Sequence, residues 1–373
     1  MIPVFRPKME KDAILAELGR IFDSGWIGLG PVVNAFEERF AAYVGTKYAV
    51  AVNSCTAALH LACLSLGVGN GDEVIVPPIT FVSTALAPMF CGAKPVFADI
   101  DEETLCIDPV EIEKKITAKT KAIIPVHYGG HACQMDEILD IAKRYGLFVI
   151  EDCAHACGGK YKGRMLGSIG NVGCFSFHAV KNLSCGDGGM ITLNDEELYH
   201  RLKKLRWVGI DKDTYSRSGE QYSWRYSVDT MGFKCHMNDI TAVIGLAQLR
   251  VLDEHNGTRR VLVEKYNTAF ESEAWILRQS EKEYARSSCH NYVIRVSYRD
   301  EMVEYLGKMG ISTGVHYEPL THFNVFGQTD TRLPVTESVW PRLLTLPLFP
   351  DMTDEQLDFV VAVVKEFGVS RGL

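Results

Sequence analysis

The 373-residue chain contains no apolar run of membrane-spanning length, no Lys/Arg-rich block, no CxxC pair and no internal repeat or low-complexity segment. Each absence removes a class of protein. A bilayer span needs about 20 successive apolar residues, and none occurs. Lys and Arg number 39 against 47 Asp and Glu, a formal net charge of −8. With no basic stripe, the electrostatic footprint of a nucleic-acid binder is missing. The opening segment MIPVFRPKMEKDAILAEL meets charged residues at once and has no signal-peptide apolar core, so the expected location is the cytoplasm. The first strand–helix turn carries no GxGxxG fingerprint and the chain has no Walker lysine motif, which weakens dinucleotide and nucleoside-triphosphate readings.

Cysteine is not scarce, but the count is odd: eleven, with Cys63, Cys91, Cys106 and Cys174 in apolar runs. Reduced cysteine there behaves as a small hydrophobe, and a disulfide framework is not expected. Two clusters imitate metal spacing: His127, His131 and Cys133 in VHYGGHAC, and Cys153, His155 and Cys157 in EDCAHAC. Each follows a strand where the chain opens a loop or helix, so packing is favoured over a zinc site.

A hydrophobic content of 47% supports a large core, read as a large domain over 1–250 and a smaller C-terminal α/β domain over 251–373, with the first 25 residues or so packing on the smaller one. Apolar strand-like runs recur at Tyr48–Val52, Glu73–Val76, Pro95–Asp99, Ala122–Val126, Phe148–Glu151 and Gly173–Phe177, with helical patterns such as Met135–Tyr145 between them. That alternation predicts a mostly parallel sheet covered by helices on both faces. Ligands collect at the carboxyl ends of such strands. Further helices are predicted over 10–22, Val33–Val44, Glu196–Leu205, Asn238 to about Leu252, 258–273 and Asp354–Phe367, and strands over Tyr292–Val296 and Ser312–Tyr317. The polar aromatic stretch Thr214–Tyr226 reads as a loop.

The stretch around which the chain is organised is CFSFHAVKNLSCGDGGM, residues 174–190. It delivers Lys181 into a glycine-broken loop between two apolar strands. Desolvation lowers the pKa of such an amine and makes it a candidate nucleophile toward a carbonyl; a surface lysine in a hairpin turn is the plainer alternative. Strand Tyr48–Val52 runs into Asn53-Ser54-Cys55-Thr56 and a helix, a geometry that binds phosphate, or simply an N-cap without a ligand. Taken together, an amine on Lys181, an anion cradle at Ser54 and Thr56 with Ser176 nearby, an acid at Asp152 and an aromatic at Phe81 are the contacts that pyridoxal phosphate requires.

With those residues in view, the chain resembles the DegT/DnrJ/EryC1/StrS family of fold-type-I, pyridoxal-phosphate-dependent aminotransferases, most of which act on keto-sugars. The match runs through SGWIGLGP, FEERFAAYVG, NSCTAALHLA, GVGNGDEVIVPPITFVST, EDCAHACGGKYKGRMLG, GFKCHMNDITAVIGLAQL, VHYEPL and LTLPLFPDMT. The resemblance implies that Lys181 bonds the cofactor's aldehyde carbon and that Asp152 faces the pyridine nitrogen. It implies that Phe81 stacks on the ring, that Cys55, Thr56 and Ser176 hold the phosphate, and that His155 lies next to the ring hydroxyl, where many members have Gln. It also implies L-glutamate as donor and a homodimer with shared sites. Two departures stand out: the common Ser-Gly-Thr is Ser54-Cys55-Thr56, and the Asn that reaches a neighbouring subunit's phosphate corresponds to Lys234, a point charge in place of a planar amide. The Arg of the same family segment corresponds to His236.

Nucleotide-linked keto-deoxy sugars are the leading expected acceptors, in amino-sugar and surface-polysaccharide biosynthesis; small phosphorylated ketones and keto-cyclitols are alternatives. Trp207, Arg217, Trp224, Arg225, His316 and Tyr317 are candidates for substrate contact by stacking or charge. A sugar dehydratase of the same fold would carry a histidine at the Lys181 position, and a non-catalytic sensor would be expected to lose Lys181 or Asp152; both residues are present. A metal-dependent hydrolase built on the two His/Cys clusters is the remaining rival.

Overall fold

The structure, a computed structural model, describes residues 1–212, 215, 224–327 and 332–373. In chain order its strands are β1 (Tyr48–Val52), β2 (Glu73–Val76), β3 (Lys94–Phe97), β4 (Thr120–Ile123), β5 (Phe148–Asp152), β6 (Lys160–Tyr161) and β7 (Arg164–Met165). There follow β8 (Val172–Ser176), β9 (Gly189–Leu193), β10 (Leu277–Arg278), β11 (Ala285–Arg286), β12 (Tyr292–Arg295) and β13 (Leu343–Leu346). Seven of them form the main sheet in the order β1-β9-β8-β5-β4-β2-β3.

Neighbours from β8 across to β3 pair in parallel, while β9 runs antiparallel to both β1 and β8. Connection length explains the difference. Parallel neighbours need a crossover, supplied here by helices such as Ser83–Phe90 and Met135–Tyr145. The β8–β9 connection is only the short loop that carries Lys181, and it returns the chain antiparallel. Within β1, Ala49 and Ala51 face one layer and Val50 and Val52 the other, and all four are buried. Both faces are therefore covered, which is why these strands read as continuous apolar runs. Phe36 and Phe40 of helix Pro31–Val44 pack under β8 and its loop, with the Phe40 ring 4.9 Å from Phe175 and 5.3 Å from Phe177.

A second sheet, β10-β12-β13, pairs with helices Arg299–Lys308 and Asp354–Ser370 around its own core of Ile294, Leu344, Leu346, Met302, Val360 and Phe367. Ile2 joins that core and bridges Ile311. The last helix opens on a capping box between Thr353 and Gln356. Two expectations are corrected. The helices predicted at 238–252 and 258–273 are one continuous helix, Asp239–Ala269. The intervening DEHNG stretch stays helical because tertiary contacts hold it: Asn256 donates to the Cys157 carbonyl (2.9 Å), while His255 and Arg259 are buried. Segment 312–317 is not a strand. Only Gly314 pairs, with Thr345, and the chain then leaves the sheet to reach the large lobe, where the Leu320 N–H donates to the Pro78 carbonyl at 2.9 Å.

A boundary at residue 250 falls inside helix Asp239–Ala269, whose Ala242 packs in the first core and whose Leu262 and Tyr266 pack in the second. We propose that the two-domain division holds with this helix shared between the domains. Among the described residues no helix is long and apolar enough to cross a membrane. All eleven cysteines are free.

Candidate active site

A pocket of about 310 Å³ opens at the carboxyl end of the main sheet, and Ser54, Cys55, Thr56, Phe81, Asp152, Ser176, Lys181, His316 and Tyr317 all line it. Chain topology assembles them. Ser54–Thr56 follow β1, Ser176 ends β8, Asp152 ends β5, and Lys181 sits in the β8–β9 loop. That loop is closed by Cys185 N–H to Phe177 O (2.8 Å) and Phe177 N–H to Gly188 O (2.9 Å), with Leu183 and Cys185 buried beneath it. Its turn uses Gly186 at φ 88°, a conformation that costs a residue with a Cβ.

Lys181 keeps some surface toward the pocket, but the packing around its amine is dense. Burial lowers its pKa to about 8, against the opposing pull of Cys55 and Asp152. At pH 7 about a tenth of such an amine is neutral, against about one part in three thousand at the ordinary lysine value. The loop thus supplies a nucleophilic amine near neutral pH.

Asp152 is buried, and Oδ1 accepts from Ala154 N–H (3.0 Å) while Oδ2 accepts from the Thr84 hydroxyl (2.8 Å). Thr84 is itself within 2.8 Å of Thr80. Burial raises the carboxyl pKa, outweighing those hydrogen bonds and the nearby Lys181. Helix Cys55–Ser65 points its N-terminus into the pocket. Ser54 caps it by accepting from Ala57 N–H (3.1 Å), and the Thr56 hydroxyl meets Ser83 at 2.7 Å. Among the described residues the N–H groups of Cys55 and Thr56 have no protein acceptor, so they and the positive end of the helix dipole are available to an anion. A Cβ on Gly189 would lie 2.6 Å from the Ser54 carbonyl; β9 fits against this turn only as glycine. The residues present therefore fit pyridoxal phosphate: donors for its phosphate, a buried carboxylate for its ring nitrogen and a depressed-pKa lysine for its aldehyde.

Phe81 is 56% exposed at the pocket mouth, its ring 6.2 Å from that of Tyr317. His155 is buried, with Nδ1 accepting from Gly129 N–H (3.3 Å) and Nε2 2.9 Å from the Tyr317 hydroxyl. Burial first, then Lys181 and His316, hold its pKa well below the usual histidine value. His316 and Tyr317 are brought to the pocket; Trp207, Trp224 and Arg225 are not among its lining residues. Trp207 lies under the Lys234 ammonium, 3.3 Å from Nζ to the ring centroid. Trp224 is 68% exposed, with the Arg225 guanidinium 5.2 Å from its ring centroid. Arg217 lies outside the described residues.

Three contributors escaped the sequence reading: Thr84 and Ser83, which hold Asp152 and Thr56, and Asn182, whose amide donates to the Ser288 carbonyl and to Asn256 Oδ1, both at 2.8 Å. The hydroxyl-rich run TFVST after β2 was the available signal for the first two; for Asn182 there was only its place beside Lys181.

The metal-like clusters resolve into packing. His127 Nδ1 accepts from Cys133 N–H (3.1 Å), so Nε2 carries the proton and donates to Glu151 (3.1 Å). Glu151 also accepts from the N–H groups of Gly167, Ile169 and Gly170. Although His127, Glu151 and Cys153 could bring ligand atoms within 4.8 Å of one another, both histidine nitrogens and both carboxylate oxygens are already engaged. His131 Nε2 accepts from Lys282 N–H (3.1 Å), and His155 is bonded as described above.

The sheet order, the lysine loop and the anion-binding helix define a fold-type-I pyridoxal-phosphate enzyme. A profile of the DegT/DnrJ/EryC1/StrS aminotransferase family matches residues 8–365, and the chain belongs to that family. It is a pyridoxal-phosphate-dependent aminotransferase. It is 43% identical over 376 residues to the spore coat polysaccharide biosynthesis protein SpsC of Bacillus subtilis, covering 98% of this chain and 96% of that one. The aminotransferase TlmJ from Streptoalloteichus hindustanus superposes with a TM-score of 0.94 at 34% identity, over 100% of both chains. Spr1654 from Streptococcus pneumoniae, described as a sugar aminotransferase and solved in a PLP-form, gives 0.90 at 32% identity, over 98% of this chain and 99% of that one.

Proposed function

We propose that the enzyme moves an amino group from L-glutamate to a nucleotide-linked keto-deoxy sugar, and works in the cytoplasm in the synthesis of an amino sugar for a surface polysaccharide. The observation that carries the chemistry is Lys181, a dehydrated amine with a pKa of about 8 facing the buried Asp152 across one pocket. Likeness to a spore coat polysaccharide protein supports the pathway class.

Pyridoxal phosphate, when bound, supplies a conjugated ring that withdraws electrons from the amino carbon and acidifies its hydrogen. Lys181 Nζ would hold the cofactor through its aldehyde carbon and, when free, would take the proton from the donor's amino carbon and return it. Asp152, oriented by Ala154 N–H and Thr84, keeps the ring nitrogen protonated. The N–H groups of Cys55 and Thr56, with Ser176, hold the phosphate oxygens, and Phe81 covers a ring face. With glutamate as donor, nucleotide-linked keto-deoxy sugars are expected to exceed small phosphorylated ketones and keto-cyclitols in kcat/KM by about 100-fold or more. A preference for the small phosphorylated ketones would contradict the substrate class.

The working unit in this reading is a homodimer with shared sites. Lys234 does not line its own protomer's pocket, and a two-fold axis can carry it to the neighbour's phosphate, since an isologous interface returns whatever it lends. Mixing inactive Lys181→Ala chains with inactive Lys234→Glu chains is expected to give hybrid dimers with one intact site and partial activity. Verified subunit exchange without recovery would rule out sharing.

A further inference from the structure

We propose that Tyr317, and not His155, presents the hydrogen-bond donor to the ring-hydroxyl oxygen of the bound cofactor, and that His155 is the positioning residue that turns the Tyr317 proton into the pocket. The proposal rests on the pyridoxal phosphate reading of Lys181.

The hydrogen-bond directions fix the argument. Gly129 N–H can only donate, so His155 Nδ1 is the acceptor in that 3.3 Å contact and the imidazole proton sits on Nε2. Nε2–H therefore donates to the Tyr317 oxygen at 2.9 Å. Each His155 nitrogen is thereby committed to the protein. The Tyr317 oxygen has received a proton and still holds its own, for which no acceptor exists among the described residues. Since Tyr317 lines the pocket, that proton is available to an acceptor there.

Sheet order says which acceptor. In the cofactor ring the nitrogen lies opposite the aldehyde carbon, and the phosphate arm and the hydroxyl flank that carbon on opposite sides. The phosphate donors follow β1 and β8, Asp152 ends β5, and His155 lies beyond Asp152, bonded to Gly129 after β4. Along β1-β9-β8-β5-β4 the cradle and the His155–Tyr317 pair thus fall on opposite sides of Asp152. With the nitrogen at Asp152 and the phosphate at the cradle, the ring hydroxyl faces Tyr317.

The tyrosine is held for this. Tyr128 donates its hydroxyl to the His316 carbonyl, His316 Nδ1 meets the Thr345 hydroxyl at 2.8 Å, and the Tyr317 ring stacks on His155 with centroids 5.9 Å apart. His290 also packs against His155, centroids 4.5 Å apart. Its Nδ1 is 2.9 Å from Asn182 Oδ1, the acceptor end of an amide whose nitrogen is already donating.

The test reads the cofactor's colour. A donor to the ring oxygen disperses its negative charge, which weakens the hold on the proton at the Lys181 linkage. Removing the donor should move the pH-dependent change of the visible absorption band upward. Cys55, Asp152, His155, His290 and His316 also face Lys181 electrostatically, and Tyr317→Phe leaves all five in place. In purified holoenzyme, Tyr317→Phe is expected to raise the midpoint by about one pH unit, the scale of one hydrogen bond to a charged group. His155→Leu should raise it in the same direction, and His155→Gln, whose amide can still donate to Tyr317, should restore it toward wild type. An unchanged midpoint in Tyr317→Phe overturns the proposal while leaving Lys181 as the cofactor's lysine. Should that variant not accumulate as holoenzyme, the His155 pair decides: equal midpoints in Leu and Gln variants overturn the proposal. A wild-type protein without any visible band would instead refute the underlying reading.

Discussion

Lys181→Ala is expected to fold as the wild type does and to lose amino transfer by about four orders of magnitude or more, the upper range for removing a positioned general base. The fold should survive because Lys181 makes no side-chain hydrogen bond or ion pair among the described residues, and the loop around it is held by the Phe177, Cys185 and Gly188 backbone and by buried Leu183. Deleting an amine whose burial is unfavourable removes a cost, so the melting temperature should stay within about 2 °C. The phosphate cradle and Asp152 are untouched, so the variant should still bind pyridoxal phosphate, but as the free aldehyde. Measured turnover within tenfold of wild type would show that another base carries the proton.

Asp152→Asn is the second large effect, with an expected loss of about 10² to 10³ in turnover, the range for deleting one aligned electrostatic partner. The substitution is locally compatible. An amide oxygen can still accept from Ala154 N–H, its nitrogen can donate to Thr84, and Thr84 can turn its own proton to Thr80. What the amide cannot do is hold a proton on the ring nitrogen, so electron withdrawal weakens while cofactor loading persists. Saturating pyridoxal phosphate and a kcat measurement separate the two. Near-normal turnover in a fully loaded variant would remove Asp152 from this role.

Much of this site was legible because the sheet repeats one rule: apolar strand, then functional residue at its carboxyl end. Tyr48–Val52 and Glu73–Val76, like helices Met135–Tyr145 and Glu196–Leu205, fall where periodicity puts them. Lys181, Asp152 and the Ser54–Thr56 turn meet in one pocket, as strand order requires. The errors come from long-range contacts that override local pattern. Asn256 and Gly257 look like a helix break, yet Asn256 is bound to Cys157 and Asn182 and the helix runs through. Segment 312–317 has the residues of a strand, but Tyr128, bonded to His316, and Pro78, bonded to Leu320 just beyond it, draw the chain to the large lobe. Thr84, a hydroxyl in a buried helix turn, acquires its importance only from Asp152, 68 residues later.

The resemblance to relatives with Gln at position 155 suggested a direct role for His155; in the proposal above it acts through Tyr317. The histidine's Nε2 is already engaged with Tyr317, a residue 162 positions away that no local motif links to it. Trp207 is a candidate for stacking on a sugar, and the Lys234 ammonium already lies over its ring. Both cases are side chains whose chemistry is right for a ligand and whose partner is supplied by the protein.

The most direct test of the central claim is borohydride reduction of the purified holoenzyme followed by peptide mapping. Reduction fixes the cofactor covalently to whichever amine carries it. The account predicts loss of the visible band and a single pyridoxyl-modified peptide containing Lys181, with none in Lys181→Ala. A modification at any other lysine, or a protein that loses its cofactor intact after reduction, would contradict it.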